Sequence, residues 1–206
     1  MRQYLLVSFF QLHITAYKSS PCYISPDYVV PKPRPGNLVL PARQVVVLAI
    51  LRDRNTRHEV CAVTTHLKAR SGALLSAIRS EQGKDLRSFV AAHAAGRPVI
   101  VCGDFNAEPA EPVYATLTEE GGAEPELTSA HVQATGAEAD YTTWKIRGSG
   151  EVRQTLDYVF LSTGRFSVEA VLPPPTEQQL GKARAPSLGY PSDHFSLVAD
   201  VSVLPG

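Results

Sequence analysis

A regular pattern of aliphatic and β-branched runs separated by polar segments starts near residue 43 and continues almost to the end of the chain. Two of these runs, QVVVLAIL and HEVCAVTTHL, flank the polar segment RDRNTR, and this arrangement predicts a β-hairpin. The segment that follows, GALLSAIRSEQGKDLRSFVAAHAA, carries its apolar residues at largely helical spacing and predicts a helix that ends at Gly96. This part of the chain therefore predicts two strands followed by one long helix.

Strand-forming runs dominate the remainder of the chain. RPVIVCGD is apolar at successive positions, which predicts a central strand buried on both faces, and EPVYATLTEEG predicts a short helix that ends at Gly121. Four further strands are predicted by DYTTWKI, TLDYVFLS, FSVEAVLP and FSLVADVSV. Strands mixed with two helices predict an α/β fold with a mixed, mostly antiparallel sheet and flanking helices.

A proline-rich segment separates this region from the N-terminus. Residues 21–41 hold six prolines, which remove backbone donors and favour extended linker structure. We therefore expect residues 1–42 to be a poorly ordered segment outside the fold and residues 43–206 to form the domain. No apolar run is long enough for a membrane span, and the first acidic residue is Asp27, a scarcity of acids that targeting segments share.

The composition is that of an ordinary globular protein with balanced charge. The chain has 206 residues, enough for one domain, and its 20 Lys and Arg residues equal its 20 Asp and Glu residues. Zero net charge argues against a nonspecific nucleic-acid binder, because affinity for nucleic acid depends largely on neutralised phosphates. Cys22, Cys61 and Cys102 match no disulfide or zinc pattern, so we expect a reducing compartment, either cytoplasmic or mitochondrial.

Four groups of polar residues follow or adjoin apolar strands, where the sites of α/β proteins usually lie. They are His66, Lys68 and Arg70; Asp104 and Asn106; Asp157; and Asp193 with His194. An Asp beside a His can orient the imidazole, carboxylates can hold Mg²⁺, and Lys and Arg can bind phosphate oxygens. Together these residue types suit metal-assisted attack of water on a phosphate ester.

Each group taken alone also fits a structural role. GDFN fits a turn closed by its own Asp side chain, and Asp157 fits a buried carboxylate paired with an Arg or with backbone donors. SDH and HLKAR fit solvated loop and strand ends. The apolar context that all four groups share favours a functional site over four separate structural roles.

The segments THLKAR, RSEQGKDL, VCGDFNAEP, YTTWKIR, TLDY and YPSDH resemble the endonuclease/exonuclease/phosphatase superfamily. The resemblance runs from about Gln44 to Val203. YTTWKIR followed by GEVRQTLDY is more particular and resembles a CCR4-like branch whose members remove the 2′-phosphate of NADP⁺ and NADPH with Mg²⁺. The resemblance thus implies a Mg²⁺-dependent phosphatase acting on NADP(H) or another nucleotide phosphate.

The resemblance also implies catalytic roles for five residues. Asp104 would orient or deprotonate the attacking water, and Asn106 would position the water or the phosphate. His194 would stabilise the negative charge that develops on the phosphate, while Asp157 holds its imidazole. His66 would donate a hydrogen bond to the phosphate group.

Substrate and metal binding are implied for five more residues. Lys68, Arg70 and Arg147 would bind the phosphates of the dinucleotide, and Trp144 would support the same wall of the site. Asp193 would lie near the metal ion and contact it through a water molecule.

The resemblance covers the C-terminal half of the superfamily's four-layer α/β sandwich. The first half of such domains supplies the Glu that ligates Mg²⁺, and residues 1–42 offer no counterpart; Arg43 stands where the family tends to have Asn. We therefore expect an incomplete metal site, a truncated or alternatively started chain, and an apolar sheet face open to a protein partner. A poly(A) 3′-exonuclease and a non-catalytic half-domain are the alternative functions.

Overall fold

The computed structural model describes residues 45–54, 56–119 and 125–205, together with three short strands nearer the N-terminus. The strands, in chain order, are β1 (Gln3–Ser8), β2 (Gln11–Ala16), β3 (Tyr23–Ser25), β4 (Val46–Arg52), β5 (Glu59–His66), β6 (Val99–Asp104), β7 (Leu127–Ser129), β8 (Thr143–Arg147), β9 (Gly150–Gln154), β10 (Asp157–Ser162), β11 (Phe166–Val171) and β12 (Leu197–Val203). The helices are α1 (Ala73–Ala94), α2 (Pro112–Thr118), α3 (Ala130–Thr135) and α4 (Glu177–Leu180).

The largest sheet has six strands in the order β3-β4-β5-β6-β10-β7. Its one parallel pair is β5 with β6, which α1 connects; the other neighbours are antiparallel. A second sheet has the order β11-β12-β1-β2, and β8 with β9 forms a separate hairpin. The predicted α/β fold with a mixed, mostly antiparallel sheet is confirmed.

The central strands β6 and β10 are buried on both faces of the six-stranded sheet. Successive side chains of a strand point to opposite faces, so each strand contributes to both sides. On β6, Val99 and Val101 belong to a core with α1 and α2, where Phe89 and Val113 pack. Ile100 and Cys102, which alternate with these valines along the strand, belong to a second core shared with β11 and β12. The apolar run of β6 therefore serves two cores, as the sequence predicted for this central strand.

Most predicted elements are present, with shifted ends. The β4–β5 hairpin, α1 and the strands β6, β8, β10, β11 and β12 are confirmed. The second helix ends at Thr118 rather than at Gly121, because Glu119 is already extended; Gly121 itself lies outside the described residues. The sequence interpretation did not include β7, β9, α3 and α4; β9 has exposed or half-buried residues throughout and carries no apolar periodicity.

Three described strands lie within residues 1–42. β1 pairs with β12 and with β2, and β3 pairs with β4. The remaining residues of this segment, including Cys22 and Asp27, lie outside the described residues. The domain boundary after residue 42 stays a prediction, as does a protein partner on an open sheet face.

Cys61 and Cys102 are buried free thiols. Burial raises the pKa of Cys61 to about 11 and that of Cys102 to about 12, so both stay protonated at neutral pH. Among the helices of the described residues, none has the length and apolarity of a membrane span.

Candidate active site

Asp104 is brought beside His66 by the parallel pairing of β5 and β6. The two residues are register partners at the ends of these strands, and the N–H of Leu67 donates to the Asp104 carbonyl at 2.9 Å. The Nε2 atom of His66 lies 3.4 Å from Oδ2 of Asp104. The strand ends thus place a carboxylate and an imidazole at one edge of the sheet.

Asp157 reaches the same point from the other side of β6. It begins β10 and is the antiparallel register partner of Asp104. His194, in the loop before β12, is buried, and its Nδ1 atom lies 2.8 Å from Oδ2 of Asp157. The structure therefore brings Asp104, Asp157, His194 and His66 together, although they lie far apart in the sequence.

Burial and the charges within this group together raise the pKa values of Asp104 and His194. Burial, and then the charge of Asp157, raises the pKa of Asp104 to about 6, against the lowering effects of the Asn106 N–H and the two imidazoles. Burial alone lowers the pKa of His194, but the hydrogen bond and charge of Asp157 and the charge of Asp104 outweigh it, so the net shift is upward. A raised carboxyl pKa beside a raised imidazole pKa suits proton transfer near neutral pH.

The GDFN segment is both a turn and part of the site. The backbone N–H of Asn106 donates to Oδ1 of Asp104 at 2.8 Å, which is the turn that the residues alone suggested. Asn106 has a positive φ of 50°, and its Nδ2 atom donates to the Leu67 carbonyl at 3.1 Å. The turn holds the Asp104 carboxylate and ties it to the loop after His66.

Thr142 orients the Asp157 carboxylate and was not singled out by the sequence. Its Oγ1 atom donates to Oδ2 of Asp157 at 2.5 Å and accepts from the N–H groups of Leu156 and Asp157 at 2.9 and 3.1 Å. The residue is 1% exposed. Its carbonyl also accepts from the N–H of Phe195, which follows His194. One threonine thus supports both members of the Asp157–His194 pair.

Replacing Thr142 with Val is expected to lower the turnover of a phosphate ester by roughly tenfold, because a buried carboxylate loses one donor. The pKa of His194 is expected to rise in the variant, since a less satisfied Asp157 carboxylate attracts the imidazolium proton more strongly. NMR titration of the His194 ring measures that shift. The neighbouring Thr143→Val variant is the control; an equal shift in both variants would contradict this role for Thr142.

Asp193 pairs with two cations of the β8–β9 hairpin. Its Oδ2 atom lies 3.0 Å from Nζ of Lys145 and 3.1 Å from a guanidinium nitrogen of Arg147. Burial raises the pKa of Asp193, but the bond and charge of Lys145 and the charges of His194 and Arg147 lower it overall. The structure therefore places Asp193 in an ion-pair cluster next to His194, and Lys145 joins the site without having been predicted.

Trp144 is a buried residue of β8, the strand of the hairpin that also carries Lys145 and Arg147. It is buried with Tyr141 against the guanidinium of Arg153, and its indole N–H donates to Oε1 of Glu151 at 2.5 Å. These contacts join β8 to β9. Trp144 thus supports the hairpin from within.

Lys68 and Arg70 lie on the loop that continues from His66. The N–H of Lys68 donates to the Oε1 atom of Gln82 at 3.0 Å, and Arg70 has a positive φ of 80°. The Lys68 side chain is half-buried and that of Arg70 is exposed. Both cations therefore lie on a constrained backbone that continues from His66.

Asp104, Asp157 and His194 each offer one ligand atom, and these three atoms lie within 4.8 Å of one another, so the group could hold a metal ion. Oδ2 of Asp157 already accepts hydrogen bonds from Thr142 and His194, which leaves Asp104 as the carboxylate most able to bind a cation. Mg²⁺ is commonly held by one or two carboxylates, several waters and substrate phosphate. The donor set fits such a hydrated ion.

Comparisons with known proteins identify relatives of this chain. The model of the Endonuclease/Exonuclease/phosphatase family matches residues 20–194. Nocturnin of Drosophila melanogaster is 45% identical over 183 residues, covering 80% of this chain and 28% of that protein. Nocturnin of Homo sapiens is 44% identical over 170 residues, covering 80% of this chain and 38% of that protein.

A solved structure of the human nocturnin catalytic domain with a bound sulfate anion is also similar. Its TM-score is 0.62 at 36% sequence identity, and the match covers 78% of this chain and 53% of that chain. The chain thus spans 28% and 38% of the two curated relatives and about half of the solved catalytic domain.

Proposed function

The chain belongs to the endonuclease/exonuclease/phosphatase family, and from that membership we propose that it hydrolyses the 2′-phosphate ester of NADP(H) with Mg²⁺. The observation that carries the proposal is the buried group of Asp104, Asp157 and His194, in which Asp157 binds the imidazole and Asp104 lies within reach of His66. A raised carboxyl pKa at Asp104 suits a group that accepts a proton from water.

In the proposed reaction, the oxygen of a water molecule bonds to phosphorus while the bond from phosphorus to the ribose 2′ oxygen breaks. Asp104 takes the proton of the attacking water, and the released ribose oxygen takes a proton from solvent. His194, held at Nδ1 by Asp157, donates from its other nitrogen to a phosphoryl oxygen, and His66 and Asn106 help to position the group. A Mg²⁺ ion held with several waters at the group of Asp104, Asp157 and His194 would neutralise phosphoryl charge.

The proposed dinucleotide specificity relies on two sets of cations, one on the β8–β9 hairpin and one on the loop after His66. Lys145 and Arg147 lie at the ion pair with Asp193, and Lys68 and Arg70 follow His66. Lys and Arg recognise phosphate oxygens. Two separate groups of cations therefore suit a dinucleotide substrate that carries phosphate at two positions. The resemblance of YTTWKIR to NADP(H) phosphatases supports the same substrate. The buried free thiols support a cytoplasmic or mitochondrial location.

Release of inorganic phosphate from NADPH by the full chain, with and without Mg²⁺, tests the proposal. We expect release that falls by more than ~100-fold when the metal is chelated, because such ions contribute several kcal/mol of transition-state stabilisation. An oligonucleotide ending in an A-tail serves as the competing substrate. Shortening of the tail without phosphate release would favour a 3′-exonuclease, and inactivity of a folded sample on both substrates would reject hydrolysis by this chain.

A further inference from the structure

Arg79 is a buried cation on α1 whose hydrogen bonds lead to the loop after His66. It is 1% exposed. One terminal nitrogen donates to the carbonyls of Lys68 and Arg70 at 3.0 and 2.7 Å, and the other donates to Oε2 of Glu111 at 2.5 Å. Burying a guanidinium is costly unless its charge and donors are paired. The three acceptors pair the two terminal nitrogens of Arg79, while its Nε atom is buried without a hydrogen-bond partner among the described residues.

The same loop is held at two further backbone atoms. Gln82, one helical turn after Arg79, accepts from the N–H of Lys68 at 3.0 Å. From the GDFN turn, Nδ2 of Asn106 donates to the carbonyl of Leu67 at 3.1 Å. The backbone of residues 67–70 is therefore fixed by side chains from α1 and from the GDFN turn.

We infer that Arg79 is a positioning residue, which sets the backbone of Lys68 and Arg70 so that their side chains can bind the second phosphate-bearing part of a dinucleotide. The inference rests on the proposed function and adds a residue beyond those that touch substrate. Its basis is the planar fork of the guanidinium, which spans two carbonyls and a carboxylate at once. A lysine ammonium keeps the charge but cannot reproduce that geometry.

Arg79→Lys, compared with Arg87→Lys, tests the inference. Arg87 is also buried on α1, but it donates to the carbonyl of Thr116 in α2 at 2.9 Å. Hydrogen exchange at the Lys68 amide is expected to speed up by ~10-fold in Arg79→Lys and to stay unchanged in Arg87→Lys. Equal acceleration in both variants would overturn the inference, since it would indicate a general loss of stability.

Kinetics provide a second measurement that a purely structural role would not produce. With NADPH, Arg79→Lys is expected to raise KM by ~10-fold while kcat stays within about threefold. With adenosine 2′-phosphate, which lacks the second phosphate-bearing part, KM is expected to change much less. An equal rise in KM for both substrates would contradict positioning of Lys68 and Arg70.

Failure of the proposed function and failure of this inference give different results. If the parent chain hydrolyses neither substrate, the proposed reaction is wrong, and calorimetric binding of NADP⁺ and of adenosine 2′-phosphate replaces KM as the second measurement. If Arg79→Lys does not fold, Glu111→Gln removes only the carboxylate that anchors Arg79 and is expected to shift loop exchange in the same direction by less. Unchanged exchange in Glu111→Gln would then count against the inference.

Discussion

Replacing Asp104 with Asn is expected to lower phosphate release from NADPH by ~10²–10⁴-fold, the usual contribution of a positioned general base. The amide is nearly the same size and can still accept from the Asn106 N–H, which donates to Oδ1 of Asp104 at 2.8 Å. It cannot take a proton from water, and it binds a divalent cation less well than a carboxylate. Steady-state release of inorganic phosphate measures the loss.

Asp140→Asn is the matched control, because it makes the same chemical change at an exposed carboxylate whose ion pair with Arg153 spans 3.6 Å. Its activity is expected to equal that of the parent chain. Retention of more than about a tenth of the parent rate by Asp104→Asn would contradict the role of Asp104 as the base.

The same substitution is expected to stabilise the metal-free protein above pH 6. The folded-state pKa of Asp104 is raised from 3.8 to about 6, chiefly by burial. The contribution of Asp104 to the folding stability of the parent chain is therefore most favourable below about pH 4. This contribution is lost as the pH rises through about 6. Asn does not titrate, so the variant avoids this loss.

Urea unfolding in the presence of a chelator, at pH 4 and at pH 7.5, measures the difference. We expect Asp104→Asn to gain ~1–3 kcal/mol relative to the parent chain at pH 7.5, and the gain to vanish at pH 4. Added Mg²⁺ is expected to stabilise the parent chain and not the variant, by mass action on the folded state. A variant less stable than the parent at pH 7.5 without metal would show that burial of Asp104 carries no cost.

Replacing Gly103 with Ala is expected to destabilise the fold by more than ~3 kcal/mol, since a clash and an unfavourable backbone conformation combine. A Cβ atom at this position would lie 1.9 Å from the carbonyl oxygen of Thr65, and the residue has a φ of 152°. Thr65 is its register partner on β5, so the clash would push apart the parallel pair that carries His66 and Asp104. Urea unfolding measures the loss.

Gly150→Ala separates the two causes. Gly150 has a φ of 122°, yet an added Cβ would meet nothing within 4 Å. It is therefore expected to cost only ~1–2 kcal/mol, from the backbone conformation alone. Equal losses in the two variants would indicate that close approach of β5 and β6 contributes nothing.

Gly103 also explains why an acid can follow directly after the buried part of β6. The glycine lets the backbone of β5 come close, so that His66 and Asp104 become register partners at the strand ends. The Asx turn, in which Oδ1 of Asp104 accepts from the backbone N–H of Asn106, then holds the same carboxylate. The turn and the active site are thus one structure, and the structural and functional interpretations of GDFN do not exclude each other.

The residues that sequence reasoning missed are polar groups whose partners are distant in the chain. Thr142 binds a carboxylate 15 positions away, Arg79 binds one 32 positions away, and Lys145 binds one 48 positions away. In the sequence, Arg79 occupies an ordinary polar position of a helix, and Thr142 and Lys145 occupy ordinary positions of a strand. Their burial and their partners depend on how the elements pack, and local periodicity carries no information about that.

By itself, the sequence determined the strands and helices with strong apolar periodicity, and it placed His66, Asp104, Asn106, Asp157 and His194 at strand ends, because period and turn chemistry are local properties. The tertiary structure alone decided which of these side chains meet. Pairing β6 with β5 on one side and with β10 on the other set Asp104 between His66 and Asp157. The exclusion of water around these groups, which shifts the pKa of Asp104, is a consequence of the same packing.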